Sequence, residues 1–411
     1  MKYANSLKYV NSFEKAESLS ELSQKRIKEL CAALGKVNVG SRFIVTSGCS
    51  AGHATAVMME SVIKNAGYKV GRITSDASFD SRLTAFVDGE IAKIEDYNKC
   101  VAEIKSVVSK NANEKYYRCE IVFALSLLLC KLAGCEFVIL EGLSDENYSI
   151  DALCAPFDLV IFPTVYCGEN DACVKTACDA IKRGVREVVS GNQKNTVYNA
   201  ISNACMISGV RLNVTAKPTL TVSNKTARRV EFSYAERGGY VLKSPSAILR
   251  DCAMLVIESA LALRRDGVKM PWGSIAAGLE RSSNAECFDI VSVSPAVIVD
   301  SASAPEEISS MIATFEETVE PICNLTVCVS SDSAQTLESQ LKAFENVKIE
   351  KIIICGMTDK IELDNALPCT SVPDAAKNVY EASKNNKTVL CFGSVAFARE
   401  IKAEFIKLMG L

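Results

Sequence analysis

The residues whose types and spacing could do chemistry fall in one short stretch, Gly48-Cys49-Ser50-Ala51-Gly52-His53-Ala54-Thr55. A loop rich in glycine and small residues that runs into a helix turns backbone N–H groups and the helix N-terminus toward one point. That geometry cradles a phosphate. Gly48, Ser50, Gly52, His53 and Thr55 are the candidates for contacting a nucleotide there, although Ser50 and Thr55 serve equally well as helix caps. The cradle has no lysine: neither lysine nor arginine lies between Arg42 and Lys64. His53 is the single histidine of the chain. A mechanism that needs two histidines, or one outside this loop, is thereby excluded.

The elements that must position this loop can be read around it. Phe43–Thr46 is a short apolar run with β preference. From about His53 to Asn65, Val57, Met58, Val62 and Ile63 recur at helical spacing, and Gly67 closes the helix. Lys69–Thr74 reads as a second strand, and Phe86–Glu90 carries Asp88-Gly89, a hairpin turn. Ile91–Val108 is an amphipathic helix and Tyr116–Leu132 a buried one with Glu120 near its start. Glu136–Glu141 and Leu159–Thr164 are buried strands, the first ending in a carboxylate. Further helices are expected over Cys173–Lys182, Val197–Ser208, Ala247–Arg265 and Ile275–Leu279. Between them, Arg211–Val241 has the short β runs of a small antiparallel excursion. A new buried strand, Ala296–Asp300, restarts the rhythm, followed by strands at Leu325–Val329, Ile352–Cys355 and Thr388–Phe392 and a last helix, Phe397–Met409. The N-terminal residues 1–35 also show helical spacing, with Gly35 as the stop. Alternation of this kind indicates α/β architecture with a mainly parallel, doubly wound sheet. A domain boundary is placed near residue 290, giving domains at 1–290, with the β excursion around 211–243, and at 291–411.

Composition narrows the function. A chain of 411 residues holds two or three domains with sizeable cores. Its 46 basic and 49 acidic residues nearly balance, which argues against nucleic acid or an anionic membrane as main partner. The first residues lack the pattern of a secretion signal, and the apolar run Ile121–Cys130 is too short to span a bilayer, so a cytoplasmic, soluble protein is expected. There are 18 cysteines and no CxxC. The closest cluster, Cys167, Cys173 and Cys178, lacks zinc-knuckle spacing, and the cysteines are expected to be reduced, small buried hydrophobes.

The order of these elements, together with several short motifs, resembles the folylpolyglutamate synthase/dihydrofolate synthase family of the Mur ligase superfamily over nearly the whole chain. The motifs are the opening YANSLKYVNSF, Arg26-Ile27 before Ala33-Leu34-Gly35, and AGYKVGRITS at 66–75. Others are Val87-Asp88-Gly89-Glu90, Glu120 within YRCEIVFALSLL, Ile139-Leu140-Glu141, Val299-Asp300 and Cys391-Phe392-Gly393-Ser394. The resemblance implies a P-loop-type domain followed by a smaller Rossmann-like α/β domain. It also implies ATP- and magnesium-dependent ligation, in which a folate-type carboxylate becomes an acyl phosphate and is attacked by the amine of glutamate. By the same resemblance Asp251 and Asp300 would lie on the nucleotide's adenosine and ribose side. Thr55 and Glu120 would be the magnesium ligands, and a small folate-like ligand would sit in a cleft between the domains.

The family's chemical residues do not carry over. Its loop reads GTNGKGST; one register sets Gly52 at the lysine and Ala54 at the metal-binding hydroxyl, and a shifted one sets His53 and Thr55 there. Its histidine metal ligand falls within Val165–Asn170, its modified lysine at about Ala177, and its PGR arginine near Cys287. Its DGAHN motif has become Asp300-Ser301-Ala302-Ser303, and its substrate loop Ser75-Asp76-Ala77. The expectation is a ligase-like protein whose ATP-driven ligation is lost or strongly impaired and which works as a binding protein. The alternatives are an active amide ligase adding glutamate to a folate, and a scaffold partner of such an enzyme.

Overall fold

Buried runs of branched residues alternate with amphipathic stretches, and each finds its place in one of two sheets. The computed structural model describes residues 2–16, 24–46, 50–74, 80–111, 113–141, 156–164, 172–283, 286–319, 325–357 and 365–410. It divides into two units, Met1–Lys217 with Cys252–Arg281, and Pro218–Asp251 with Ser282–Leu411.

The first unit is built on strands β1 (Arg42–Thr46), β2 (Val70–Ile73), β3 (Ala85–Val87), β4 (Glu90–Ile91), β5 (Phe137–Glu141), β6 (Phe157–Phe162), β7 (Val185–Ser190) and β8 (Arg211–Val214). They form one sheet in the order β4-β3-β2-β5-β1-β6-β7-β8. All pairs are parallel except β2–β3 and β3–β4, which are antiparallel. Its helices are α1 (Tyr3–Asn11), α2 (Gln24–Ala33), α3 (Ser50–Asn65), α4 (Ile94–Lys110), α5 (Arg118–Leu132), α6 (Ala172–Lys182) and α7 (Asn195–Ser208), with most of α8 (Ala247–Arg265) and α9 (Trp272–Arg281). Phe43, Val45, Val138, Leu140, Val160 and Phe162 point from the sheet into a core shared with α1, α2 and α4–α7. The alternate residues Ile44 and Ile139 face the other way and are equally buried, as period-two alternation requires. This sheet is doubly wound.

Helix α3, which follows the candidate loop, is held against α9. Ser61 donates to the Gly278 carbonyl at 2.7 Å, and a Cβ at Gly278 would lie 2.5 Å from Val62 Cα and 2.9 Å from its nitrogen. Glycine here permits contact between two helix backbones.

The second unit holds a three-stranded antiparallel sheet, β9 (Leu220–Thr226), β10 (Arg229–Tyr234) and β11 (Arg237–Leu242), and a six-stranded sheet. The latter comprises β12 (Asp289–Val293), β13 (Ala296–Asp300), β14 (Leu325–Ser330), β15 (Ile349–Cys355), β16 (Ala366–Cys369) and β17 (Thr388–Phe392), in the order β12-β13-β17-β14-β15-β16. Helices α10 (Pro305–Thr318) and α11 (Ala334–Leu341) pack on one face over Val327 and Val329. Helices α12 (Val372–Lys384) and α13 (Val395–Met409) cover the other, over Cys328 and Cys391.

Three sequence expectations change here. The excursion is β9–β11 alone, because Arg211–Val214 pairs with β7 and extends the large parallel sheet. A single cut near residue 290 would leave β9–β11 with the first unit. They are instead grouped with the second, which the Lys225–Glu317 ion pair and the Ser244 hydroxyl bonded to the Cys287 carbonyl help to hold together. Helix α3 starts at Ser50 rather than at about His53, so Gly52 and His53 stand in its first turn. Among the described residues, no helix is long and apolar enough to cross a membrane.

Gly278→Ala should lower the stability of the first unit by about 1–3 kcal/mol, the usual cost of overpacking. Thermal melting followed by circular dichroism reads this directly, and an unchanged midpoint would contradict the α3–α9 contact.

Candidate functional site

Strand β1 lies between β5 and β6, and the chain leaves β1 toward β2 on one side but leaves β6 toward β7 on the other. In open α/β sheets the carboxyl ends of strands at such a reversal are where ligands bind. Here that edge carries Thr46 at the end of β1 and, in register with it, Glu141 at the end of β5. Helix α3 starts from the same edge.

A chain of charges runs under it. Glu141 is 3% exposed and His53 6%. His53 Nδ1 lies 2.9 Å from Glu141 Oε2; a carboxylate can only accept, so Nδ1 carries the proton. Arg72, on β2, donates from Nη1 to Glu141 Oε1 at 2.9 Å and from Nε to Glu60 Oε2 at 2.7 Å. Glu60 Oε1 in turn accepts from the Gly89 amide at 2.7 Å. The Arg72 guanidinium also lies 4.2 Å from the centre of the Phe86 ring, a cation–π contact. Burial pushes the Glu141 carboxyl up. The charges of His53 and Arg72, with hydrogen bonds from His53 and Thr74, outweigh it and hold the group at about 2.

The other candidates are distributed as follows. Gly48 lies outside the described residues, as do residues 165–170 and Ser75-Asp76-Ala77, and nothing is described of the side chains of Ser50 and Ala177. Gly52 occupies the first turn of α3. The Thr55 hydroxyl donates to the Ala51 carbonyl one turn back, at 2.7 Å. Glu120 is 1% exposed and takes three hydrogen bonds of 2.7–3.1 Å from Arg26, plus one of 3.0 Å from the Tyr117 amide. It caps α5 and anchors α2. Asp251, near the start of α8, and Asp300, at the end of β13, belong to the second unit. Asp300 braces its own loop, accepting from the Phe288 amide at 2.8 Å and the Ala302 amide at 2.7 Å. Burial pushes its carboxyl up to about 7, Glu307 adding to the rise against the pull of the two amides.

The structure therefore brings His53 together with Glu141, and adds Arg72 and Glu60, which sequence reasoning missed. Their signal was present. Arg72 is the one charge of the buried strand β2 and Glu60 a buried charge among apolar residues of α3, and such a charge requires a partner. Among the described residues no group of three or more His, Cys, Asp or Glu side chains is arranged to hold a metal ion. Magnesium fits the expected ligands poorly, since Thr55 and Glu120 already have partners.

A doubly wound unit with its ligand edge at β1, followed by a six-stranded Rossmann-like unit, is the two-domain architecture of the Mur ligase type. Within that class the fold is that of folylpolyglutamate synthases, matched from end to end. A complex of one such enzyme with AMPPCP and folate aligns with TM-score 0.80 and 16% identity over 100% of both chains. The Thermotoga maritima folylpolyglutamate synthase aligns with TM-score 0.76 and 17% identity, over 98% of this chain and 96% of that one. The Mycobacterium tuberculosis enzyme, complexed with ADP, gives TM-score 0.77 and 15% identity over 98% and 99%. Identity this low establishes the fold alone. No family model matches the sequence, and no curated protein matches it.

Glu141→Gln leaves Arg72 and His53 short of their shared carboxylate and should cost about 3–5 kcal/mol near neutral pH. The folded pKa, about 2, lies below the unfolded value of about 4.3. The carboxylate's contribution is therefore complete above pH ~4.3 and is lost as the pH falls toward 2. Melting curves of parent and variant should converge over that acid range. Asp300 has the opposite sign: its folded pKa is raised, so its contribution is present below pH ~4 and lost as the pH rises through about 7. The parent should therefore lose stability relative to Asp300→Asn over that interval, and a pH-independent difference would refute the assignment.

Proposed function

We propose that this chain is a folylpolyglutamate-synthase-like protein in which ATP-driven ligation is lost or strongly impaired, and that it acts as a binding protein for a small, folate-type ligand. The observation that carries this reading is the closed charge chain at the ligand edge. Acyl-phosphate chemistry needs a cation turned toward the transferring phosphate and carboxylates open to magnesium. Here Arg72 and His53, the basic side chains described at this edge, are turned toward Glu141, while Glu120 is held by Arg26. Gly52, at the position of the family's lysine in one register, has no side chain to offer. A single missing cation is worth roughly 2.7–4 kcal/mol of barrier by analogy with other electrostatic clamps. Losses at several separate positions would take the rate below a useful level.

A second reading, an active ligase with a rearranged site, draws on the end-to-end likeness to a fold neighbour solved with AMPPCP and folate. Calorimetric titration with AMPPCP and with folate, followed by a ligation assay with ATP, magnesium, folate and glutamate, separates the two. Folate binding without glutamate addition is the expected result. Magnesium-dependent release of ADP coupled to amide formation would overturn the loss of ligation.

A further inference from the structure

The carboxylate at the end of β5 lies on the ligand edge, and both of its oxygens are taken. Oε1 accepts from Arg72 Nη1 at 2.9 Å and Oε2 from His53 Nδ1 at 2.9 Å. Magnesium would need one of those oxygens at about 2.0–2.1 Å, in near-octahedral geometry and with its own waters retained. The group is almost wholly buried, so a hydrated ion has no approach that leaves both donors in place.

The donors are themselves fixed. Arg72 cannot swing away without leaving Glu60 Oε2 at 2.7 Å and the Phe86 ring at 4.2 Å. Glu60 is tied at its other oxygen to the Gly89 amide in the β3–β4 turn. His53 stands in the first turn of α3, whose backbone is pressed against α9 through Gly278. Arg72 is a permanent cation, and the charge that a metal ion would supply at this edge is thus supplied by the chain.

We propose that the charge of Glu141 is balanced within the protein, Arg72 and His53 occupying both oxygens, so that the ligand edge of the first unit takes up no divalent cation. This rests on the reading of that edge as a ligand site without ligation chemistry, and it specifies how the site is charged: by fixed side chains rather than by an exchangeable ion.

The test uses the full chain with Mn2+ alone, following the enhancement of water-proton relaxation on titration into the millimolar range. Parent and Glu141→Gln should be indistinguishable, with no saturable binding in either. His53→Ala uncovers Oε2 and should gain a saturable binding that the parent lacks, abolished in the His53→Ala/Glu141→Gln double variant. Should the alanine variant fail to fold, as judged by its melting curve, His53→Gln takes its place. Saturable Mn2+ binding by the parent that Glu141→Gln removes would overturn the proposal, and so would a folded His53 variant that gains none. With no nucleotide or folate present, either adverse result leaves the ligation assay unaffected. Amide formation by a chain that takes no Mn2+ at Glu141 would instead defeat the functional reading alone.

Discussion

The ion pair between Arg72 and Glu141 is the constraint on which the ligand edge depends. It joins β2 to the end of β5, and through His53 and Glu60 it fixes both the first turn and the third turn of α3. Burying two carboxylates and a guanidinium is costly, and a well-packed apolar substitute is often as stable or more so. What the charges add is uniqueness of position. Each carboxylate oxygen has a named donor, so α3 has one rotation and one register in which the chain closes. The helix that begins at the candidate loop is placed by electrostatics at its start and by the close glycine contact with α9 farther along.

The second unit uses the same kind of device differently. Asp300, also at the carboxyl end of a buried strand, is met by two backbone amides rather than by side-chain cations. Lacking a cationic partner and lying near Glu307, it holds its proton to a much higher pH than Glu141 does. Two buried strand-end carboxylates are thus driven in opposite directions by what surrounds them. This difference is local and needs no reference to how the units are arranged.

Most of the architecture was legible because it rests on short-range signals. The continuous apolar runs of β5 and β6, the all-round apolar surface of α5 and the Asp88-Gly89 turn each announce themselves within a few residues. Several of the elements that escaped lack such signals. Strand β16 contains Pro368, which suits an edge strand and disguises it, and β12 is half-exposed and only five residues long. Strand β8 is an exposed edge whose polar pattern resembles an excursion. The site was legible one residue at a time. His53 and Glu141 were singled out, but that they meet depends on β5 lying between β1 and β2, a fact of sheet order that no local pattern contains. Arg72 and Glu60 follow from the same order. The resemblance of motifs agrees with the fold, while the residues that the family's chemistry uses are absent from the sequence.

The hairpin that ends the large sheet has one more consequence. Strand β4 is two residues long, both exposed, and one of them is Glu90. It turns back from β3 through Asp88-Gly89, whose positive φ values of 52° and 83° suit the tight twist of a two-residue connection. A sheet of eight strands with a long flat margin would offer its free N–H and C=O groups to any extended chain that met it. A two-residue charged margin offers almost none. The glycine whose amide holds Glu60 therefore belongs to the turn that also guards this protein against aggregating through that side of its sheet.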